Sequence, residues 1–180
     1  MLDWGCGCGR ITLHFLSLDC NIRVFGCDID DEAVNWCDRN LPSGEFSIID
    51  PFPPTSYPDR SFDLIIGYSV FTHLTRDAQF AWLEEMRRII CPGGLFLASV
   101  HGESVAGDES PMLLKKVQRK GIWDRTKDLT LEGIAPKGYY RGVYQTREYT
   151  IREWSRYFDV IAYINRGAGN RQDLVIMQAS

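Results

Sequence analysis

Three glycines at alternate positions and an aspartate further along the chain are the residues whose spacing points most directly to chemistry. The segment LDWGCGCGR starts as a short apolar strand and places Gly5, Gly7 and Gly9 at a turn before a helical stretch. Glycine permits a sharp turn and lets a ligand approach the backbone without meeting a Cβ atom. Asp28 follows Gly9 by 19 residues, at the end of the next apolar stretch, where a carboxylate can reach a ribose at the edge of a doubly wound sheet. The combination predicts a site for a ribose-containing cofactor.

The elements that must position these residues alternate between strand-like and helix-like patterns, which predicts an α/β fold built around a mostly parallel sheet. A short glycine-containing link joins the last two apolar stretches and favours an antiparallel hairpin. We therefore expect one domain with a seven-stranded, open, twisted Rossmann-like sheet in the order 3-2-1-4-5-7-6, with strand 7 antiparallel. The predicted strands cover residues 2–4, 22–28, 45–49, 62–68, 95–100, 158–164 and 172–178.

Helix boundaries follow from capping residues and from breakers. Helices are expected over residues 10–18 and 31–40, with Asp30 and Asp31 at the start of the second. A third starts after Thr75 and is stopped by the Pro-Gly-Gly sequence at residues 92–94. Thr150 followed by Glu153 predicts a capping box for a last short helix, and the prolines of residues 50–61 predict an extended loop.

These motifs together resemble those of the class I S-adenosylmethionine-dependent methyltransferase family. Compared with that family, we expect this chain to lack the usual N-terminal cap region. The family's first motif, D-x-G-x-G-x-G, is matched by Asp3, Gly5, Gly7 and Gly9. The stretch FDLIIGYSVFTHL resembles its fourth strand, and IICPGGLFLAS resembles the turn into its fifth. The resemblance covers residues 1 to about 100, and the final hairpin fits the family's reversed seventh strand. It implies a transferase that uses S-adenosyl-L-methionine.

The resemblance also implies roles for individual residues. Asp28 would bond the ribose hydroxyls, Ile29 would pack on the adenine, and Asp50 would accept from its amino group. The loop from Gly5 through Cys6 to Gly7 would face the methionine part, completed by the backbone near Tyr68 and Ser69. Pro51 departs from the pattern, because the residue after the acidic one often gives a backbone N–H to adenine and proline has none. The set predicted to bind the cofactor is Asp3, Gly5, Cys6, Gly7, Asp28, Ile29, Asp50, Pro51, Tyr68 and Ser69.

Two histidines are candidates for the catalytic base. His73 follows the fourth strand and His101 follows the fifth, at the edge where open α/β sheets bind ligands. A base is needed when a hydroxyl accepts the methyl group, because its proton must leave. Methylation of oxygen on a small molecule is therefore slightly favoured, while packing roles for both histidines stay open. No Asn/Asp-Pro-Pro-Tyr/Phe signature follows the fourth strand, which lowers the odds of an adenine-N6 or glutamine methylase.

Residues 102–149 are expected to be a substrate-recognition insert between a cofactor-binding half, 1–101, and a C-terminal helix and hairpin, 150–180. The insert has an excess of four positive charges between Lys115 and Asp128, which suits either a solvated helix face or an anionic acceptor. Trp123, Tyr139, Tyr140 and Tyr144 are candidates for an acceptor wall or for core packing. The first strand starts at residue 2, so we expect a cofactor pocket open on its methionine side unless the insert or another subunit closes it.

Bulk composition narrows the partners. The 180 residues carry a net charge of −4, which gives no general attraction for nucleic acid, and no apolar stretch is long enough to cross a bilayer. We expect a cytoplasmic protein that acts on a small molecule and contacts neither nucleic acid nor membrane, and a homo-oligomer stays open. The six cysteines lack metal-site spacing, so we expect reduced thiols and no metal. A nicotinamide-dependent oxidoreductase and an inactive cofactor-binding module remain the alternatives.

Overall fold

The computed structural model describes residues 1–18, 21–127 and 134–180, and for residues 125–127 only the backbone. Cys20 and Asp128 lie outside this part of the chain. The strands are β1 (Leu2–Trp4), β2 (Phe25–Asp28), β3 (Glu45–Ile48), β4 (Phe62–Gly67), β5 (Ile90–Val100), β6 (Ile122–Lys127), β7 (Arg141–Gln145), β8 (Asp159–Ala168) and β9 (Gln172–Gln178). The helices are α1 (Thr12–Leu16), α2 (Asp31–Asn40), α3 (Arg76–Ile89), α4 (Glu103–Glu109), α5 (Pro111–Lys120) and α6 (Arg147–Trp154).

Seven strands form the central sheet in the order β3-β2-β1-β4-β5-β9-β8. The first five run parallel, and β9 is antiparallel to both β5 and β8. The predicted fold class and strand order are confirmed, because β8 and β9 occupy the places expected for strands 6 and 7. The order reverses between β1 and β4, where an open α/β sheet forms its ligand crevice.

A separate antiparallel pair, β6 and β7, was not predicted. It lies with α4 and α5 in the stretch between β5 and α6. Because these elements are inserted between β5 and the final hairpin, they leave the order of the main sheet unchanged.

Two of the predicted caps are present and one is wrong. Asp30 accepts a hydrogen bond from the Ala33 N–H at 3.1 Å, and Thr75 accepts one from the Ala78 N–H at 3.5 Å. The cap of α6 is Thr146, which bonds the Tyr149 N–H at 3.1 Å, and not Thr150. Thr150 lies inside that helix, where its hydroxyl donates to the Thr146 carbonyl at 2.9 Å. The capping-box prediction at Thr150 therefore places the start of the helix one turn too late.

The expected stop signal after α3 is also misplaced. Helix α3 ends at Ile89 and β5 begins at the next residue, so the Pro-Gly-Gly sequence lies within β5. Its glycines occupy an outer end of that strand, where the Gly93 N–H donates to the Ala179 carbonyl at 2.8 Å. The helix stops earlier because Ile90 has extended backbone angles and a buried side chain.

The core is a cluster of large aromatic rings between the sheet and α3. Trp4 packs at 4.9 Å from Trp82 and at 5.1 Å from Phe71, measured between ring centroids, and Trp154 lies 4.7 Å from Phe71. Burial of such rings dominates the stability of a domain of this size. Trp4 therefore joins the strand that carries the glycine loop to the helix behind it. None of the described helices has the length and apolar character that would let it cross a bilayer.

A polar network at the other end of α3 joins that helix to the loop after β3. Glu85 accepts hydrogen bonds from the Thr55 N–H at 2.8 Å and from the Thr55 hydroxyl at 2.6 Å, and it forms an ion pair with Arg88 at 2.7 Å. Burial by itself would raise the pKa of Glu85, but the hydrogen bonds from Arg88 and Thr55 outweigh burial and hold it below its usual value.

Candidate cofactor and acceptor site

The loop between β1 and α1 is fixed by backbone hydrogen bonds. The N–H groups of Gly5 and Cys6 donate to the Cys27 carbonyl at 2.8 and 3.1 Å, and the Gly7 N–H donates to Asp28 Oδ2 at 2.7 Å. Gly5, Gly7 and Gly9 have φ values of +74°, +50° and +72°. Residues with a side chain disfavour this region, so the turn itself requires the glycines.

The glycines differ in what a side chain would meet. A Cβ at Gly5 would lie 2.4 Å from Val70 Cγ2, whereas a Cβ at Gly7 would have nothing within 4 Å. The space beside Gly5 is therefore filled by the Val70 side chain and not by a ligand. The open space at Gly7 leaves that position accessible from the crevice.

Asp3 holds the loop from below. Its Oδ2 accepts from the Thr12 N–H at 3.0 Å and from the Thr12 hydroxyl at 2.7 Å, and the residue is only 1% exposed. Burial raises the pKa of Asp3, opposed by the two bonds from Thr12. Asp3 joins the end of β1 to α1 and does not line the crevice, so direct contact with a cofactor stays a prediction.

A cavity of about 380 Å³ lies at the reversal point of the sheet. That volume falls within the range of about 300–1,000 Å³ typical of small-molecule sites. Seven of the ten residues predicted to bind the cofactor line it, and Asp3, Asp50 and Pro51 do not. The lining is formed by Trp4, Gly5, Cys6, Gly7, Cys8, Arg10, Asp28, Ile29, Asp30, Ile49, Tyr68, Ser69, Val70, Leu74, Trp82, Tyr139 and Tyr140.

Asp28 is the acidic group at the carboxyl end of β2. Its two oxygens accept from the Gly7 N–H at 2.7 Å and the Asp30 N–H at 3.0 Å. A carboxylate offers about four acceptor positions, so Asp28 retains capacity for ligand hydroxyls. Ile29 and Ile49 lie beside it and give the cavity an apolar face. Asp50 is exposed, outside the cavity lining.

The opposite side of the cavity is formed where β4 ends. Ser69 has a φ of +63°, and its N–H donates to Ser99 Oγ at 2.7 Å. Gln172 bonds both serines, donating to Ser69 Oγ at 2.9 Å and accepting from Ser99 Oγ at 2.6 Å. The ring of Tyr68 lies 5.3 Å from the guanidinium of Arg10. The final hairpin, through Gln172, thus fixes the strained turn at Ser69.

The loop at Pro51 is tied to the insert. The Pro51 carbonyl accepts from Trp82 Nε1 at 3.2 Å and from the hydroxyl of Tyr139, which also accepts from Trp82 Nε1 at 3.0 Å. Burial raises the pKa of Tyr139 to about 12, so its hydroxyl stays protonated and able to donate. The ring of Phe52 packs edge-on against Tyr139 at 4.9 Å. Pro51, which lacks an N–H for adenine, instead uses its carbonyl to hold Tyr139.

Strand β7 is bonded to the loops that follow β4 and β5. The Val143 N–H donates to the Thr72 carbonyl at 2.8 Å, the Arg141 N–H to the His73 carbonyl at 3.0 Å and the Gln145 N–H to the His101 carbonyl at 2.9 Å. These bonds bring Tyr139 and Tyr140, which directly precede β7, to the cavity. Part of the predicted insert therefore forms one wall of the cavity, and its covering the methionine part of a cofactor stays a prediction.

The two candidate bases lie behind this aromatic wall. The ring of His73 stacks on Tyr140 at 4.0 Å with an interplanar angle of 10°, and it lies 6.2 Å from the ring of His101. His101 stacks on Tyr144 at 5.0 Å. Neither histidine belongs to the cavity lining described above. His73 is separated from the cavity by Tyr140, and a catalytic role for either stays a prediction.

Burial lowers the pKa of His101, although Glu109, the Val143 backbone and Asp173 all act to raise it. The imidazole is therefore neutral at pH 7, the form in which it could accept a proton. Of the other proposed wall residues, Trp123 lines a different cavity, beside Lys116, Asp124 and Arg141.

Sequence reasoning missed several residues of the cavity. Trp4, Ile49, Leu74 and Trp82 line it, yet their apolar character gave no reason to separate them from the core. Ser99 and Gln172 support the site through a network that spans 73 residues, which no local pattern encodes.

A larger depression of about 660 Å³ lies around Glu85 and Arg88, away from the glycine loop. Because Arg88 there is already paired with Asp59 and Glu85, and the glycine loop and Asp28 line the other cavity, we assign the site to the smaller one.

Comparisons with known proteins agree with this geometry. A family model described as "Methyltransferase domain" matches residues 1–94. A 2-methyl-6-phytyl-1,4-hydroquinone methyltransferase of Synechocystis is 26% identical over 174 residues, covering 89% of this chain and 52% of that protein. A probable S-adenosylmethionine-dependent methyltransferase of Mycolicibacterium smegmatis is 32% identical over 93 residues, or 52% of this chain and 35% of that protein. The chain thus spans about half, or less, of the length of these relatives.

Solved structures share the fold. An S-adenosylmethionine-dependent methyltransferase of Methanosarcina mazei matches with a TM-score of 0.73 and 19% identity, covering 99% of this chain and 91% of that one. A Burkholderia thailandensis 1,6-didemethyltoxoflavin-N1-methyltransferase matches with a TM-score of 0.66 and 19% identity, covering 99% and 70%. Since the family model covers more than half of the residues, the chain belongs to the methyltransferase-domain family, and its cofactor is S-adenosylmethionine.

Proposed function

We propose that this chain transfers a methyl group from S-adenosylmethionine to a small-molecule acceptor, with oxygen slightly favoured as the accepting atom. The observation that carries the proposal is the continuity of one cavity from Gly7 and Asp28 to the aromatic wall of Tyr139 and Tyr140. One cavity that holds both cofactor and acceptor would let the protein orient their reacting groups for direct transfer.

The residues present fit the cofactor at three points. The missing side chain at Gly7 leaves room for a ligand against the backbone. Asp28 offers acceptor positions for ribose hydroxyls, and Ile29 and Ile49 offer an apolar face for a planar base. Asp50 is not among the lining residues, so we propose no adenine contact for it.

When bound, S-adenosylmethionine supplies an electrophilic methyl group. The chain's own residues would then orient the acceptor and exclude water, which Trp82, Leu74 and Tyr140 support because they make the wall largely apolar. An oxygen acceptor must also lose a proton. The neutral His101 and the adjacent His73 could take it only if Tyr140 relays the proton or moves aside, because Tyr140 lies between His73 and the cavity.

The direct test is transfer of a labelled methyl group by the purified chain. A panel of phenols and quinols, aliphatic alcohols, amines and a short RNA should give product only in the first two groups. His73→Ala and His101→Ala should lower turnover on a hydroxyl acceptor. Full turnover by both variants at every pH would show that the reaction needs no histidine.

Small-molecule acceptors are supported by the names of the Synechocystis and Burkholderia proteins, which specify a hydroquinone and a didemethyltoxoflavin. A different relative, an rRNA N(6)-adenosine-methyltransferase of Caenorhabditis elegans, is 33% identical over 75 residues, or 37% of this chain. Labelling of the RNA in the panel would favour that class of acceptor.

Ligand titration and the transfer assay distinguish the proposed function from the two alternatives, an oxidoreductase and an inactive binding module. Family membership argues against the nicotinamide-dependent oxidoreductase, and S-adenosylhomocysteine should bind more tightly than NAD or NADP. A chain that binds S-adenosylhomocysteine yet transfers no label to any acceptor would be a cofactor-binding module without catalysis.

A further inference from the structure

Polar groups of Ser69, Ser99 and Gln172 form a closed ring of hydrogen bonds at the edge of the cavity. The Ser69 N–H donates to Ser99 Oγ at 2.7 Å, and Ser99 Oγ lies 2.6 Å from Gln172 Oε1. Gln172 Nε2 lies 2.9 Å from Ser69 Oγ and completes the ring. Ser99 is 1% exposed and Gln172 is 8% exposed, whereas Ser69 lines the cavity. The ring therefore joins the start of β9 to the cavity wall.

The direction of each bond in the ring follows from the groups that can only donate. A backbone N–H is such a group, so Ser99 Oγ accepts from Ser69 and keeps its own hydrogen for Gln172 Oε1. Within the described part of the chain, the Ser99 hydroxyl has no other hydrogen-bond acceptor. The opposite orientation of the Gln172 amide would leave this buried hydrogen without a partner, which is costly. Gln172 Nε2 consequently donates to Ser69 Oγ.

The Ser69 hydroxyl thus accepts from Gln172 and still has its own hydrogen to donate. The acceptor it contacts is Thr72 Oγ1 at 3.3 Å, whereas O–H···O bonds are normally about 2.5–3.0 Å long. The Thr72 hydroxyl also has a better bond of its own, to the Ser69 carbonyl at 2.9 Å. The contact between the two hydroxyls is therefore weak, and a ligand oxygen in the cavity would be a stronger partner for the Ser69 hydrogen.

A positive charge lies on the same wall of the cavity. The guanidinium of Arg10 is 5.3 Å from the centre of the Tyr68 ring, and both residues line the cavity together with Ser69. Tyr68 is packed against the turn of the final hairpin, since a Cβ at Gly169 would lie only 2.9 Å from Tyr68 Oη. A hydroxyl donor beside a guanidinium suits an oxygen that has lone pairs and no hydrogen, and a negatively charged oxygen most of all.

We propose that Ser69 is a specificity-determining residue whose hydroxyl donates to a carboxylate or carbonyl oxygen of the bound ligand, and that Gln172 is the positioning residue that sets this direction. The inference rests on the proposed function, because it assigns a contact within the same site. The Ser69 N–H is already used by Ser99, so the side chain is the donor that this residue offers to the cavity. The oxygen belongs either to the carboxylate of the cofactor or to the methyl acceptor.

Two substitutions remove this donor in different ways. Ser69→Gly deletes the hydroxyl at a position whose φ of +63° suits glycine. Gln172→Glu replaces the donating nitrogen by an oxygen. At pH 8 the introduced carboxylate accepts from both serines, so the Ser69 hydrogen turns away from the cavity while the ring of hydrogen bonds persists. Gln178→Glu is the matched control, because Gln178 is exposed at the other end of β9 and donates to the Gly93 carbonyl at 3.0 Å.

The first measurement is calorimetric titration with S-adenosylhomocysteine at pH 8. If the cofactor supplies the oxygen, both variants should bind S-adenosylhomocysteine about tenfold more weakly, while their affinity for its decarboxylated analogue equals that of the unchanged chain. If the acceptor supplies it, the affinity for S-adenosylhomocysteine stays the same, and the KM for the acceptor rises about tenfold with little change in kcat. Gln178→Glu should change neither quantity.

The double variant Ser69→Gly/Gln172→Glu separates positioning from a general structural role of Gln172. Both substitutions remove the same hydrogen, so the double variant should lose no more affinity, or gain no higher KM, than Ser69→Gly alone. Losses that add in the double variant would overturn the role of Gln172. Urea denaturation shows whether each variant is folded, and Ser69→Gly decides alone if Gln172→Glu is not.

Unchanged affinity and unchanged KM in Ser69→Gly would overturn the proposal for Ser69. A chain that transfers no methyl group to any acceptor would instead contradict the proposed function. The S-adenosylhomocysteine titrations would then decide the role of Ser69 without the transfer assay: weaker binding by Ser69→Gly would support it, and equal binding would overturn it.

Discussion

Replacement of Gly5 and Gly7 by alanine should separate the two reasons for glycine in the cofactor loop. Both have positive φ, so an alanine at either position costs about 1–2 kcal/mol of backbone strain. At Gly5 the new methyl group would also lie 2.4 Å from Val70 Cγ2, and overpacking of that kind costs about 1–3 kcal/mol more. Gly5→Ala should therefore lower the free energy of unfolding by about 2–5 kcal/mol and Gly7→Ala by about 1–2 kcal/mol.

Affinity for S-adenosylhomocysteine should show the opposite order. The methyl group of Gly7→Ala projects into open space that the cofactor is proposed to use, so its dissociation constant should rise by about tenfold, or about 1.4 kcal/mol. Urea denaturation gives the unfolding free energies, and isothermal titration calorimetry gives the affinities.

The double variant Gly5→Ala/Val70→Ala is the control, because removing the valine methyls should relieve the contact and recover part of the lost stability. If the double variant is no more stable than the sum of the single effects predicts, the contact with Val70 is not the cause. If Gly7→Ala binds S-adenosylhomocysteine as tightly as the unchanged chain, the cofactor does not lie against Gly7.

The order of the main sheet could be predicted because each of its strands is a local apolar stretch and because the chain alternates strand with helix. The glycine loop and Asp28 lie at adjacent strand ends for the same reason. These features depend on short-range pattern and on the handedness of parallel connections, both of which a sequence displays.

The acceptor side could not be predicted in the same way. Strand β7 is held by carbonyls of Thr72, His73 and His101, which lie 44 to 71 residues earlier in the chain by the partners in its hydrogen bonds. Its five residues have no clear period of two. Tyr139 and Tyr140, just before this strand, line the cavity, while their contact with an acceptor stays a prediction. Only the long-range bonds to the strand ends explain why Tyr140 stands between His73 and the cavity.

The error at Thr150 has a local cause. Both Thr146 and Thr150 can cap a helix, and only Thr150 has a glutamate three residues later. The choice of Thr146 depends on tertiary bonds, because Gln145 Nε2 donates to the Thr150 hydroxyl at 2.8 Å and Gln145 itself is bonded by Gln79 at 3.0 Å. A buried amide thus decides where α6 begins.

Three further predictions concern single side chains. Asp28→Ala should weaken S-adenosylhomocysteine binding by about 1–3 kcal/mol in calorimetry, and unchanged affinity would remove Asp28 from the site. The pKa of Glu85 is lowered in the folded state, so its stabilising effect is present above the unfolded pKa and is lost as the pH falls through the folded pKa. The difference in unfolding free energy between the unchanged chain and Glu85→Gln, measured by urea titration, should therefore be full at pH 7 and vanish in acid. Tyr139→Phe removes the hydroxyl that donates to Pro51 and accepts from Trp82, but Trp82 Nε1 keeps its bond to the Pro51 carbonyl at 3.2 Å. No buried donor is then left unpaired, so unfolding free energy should fall by only about 0.5–1.5 kcal/mol. The loss of the link between the insert and this loop should instead raise the KM for the acceptor, because Tyr139 belongs to the proposed acceptor wall. The affinity for S-adenosylhomocysteine should stay within about twofold. An equal loss of both affinities would show that Tyr139 shapes the cofactor side.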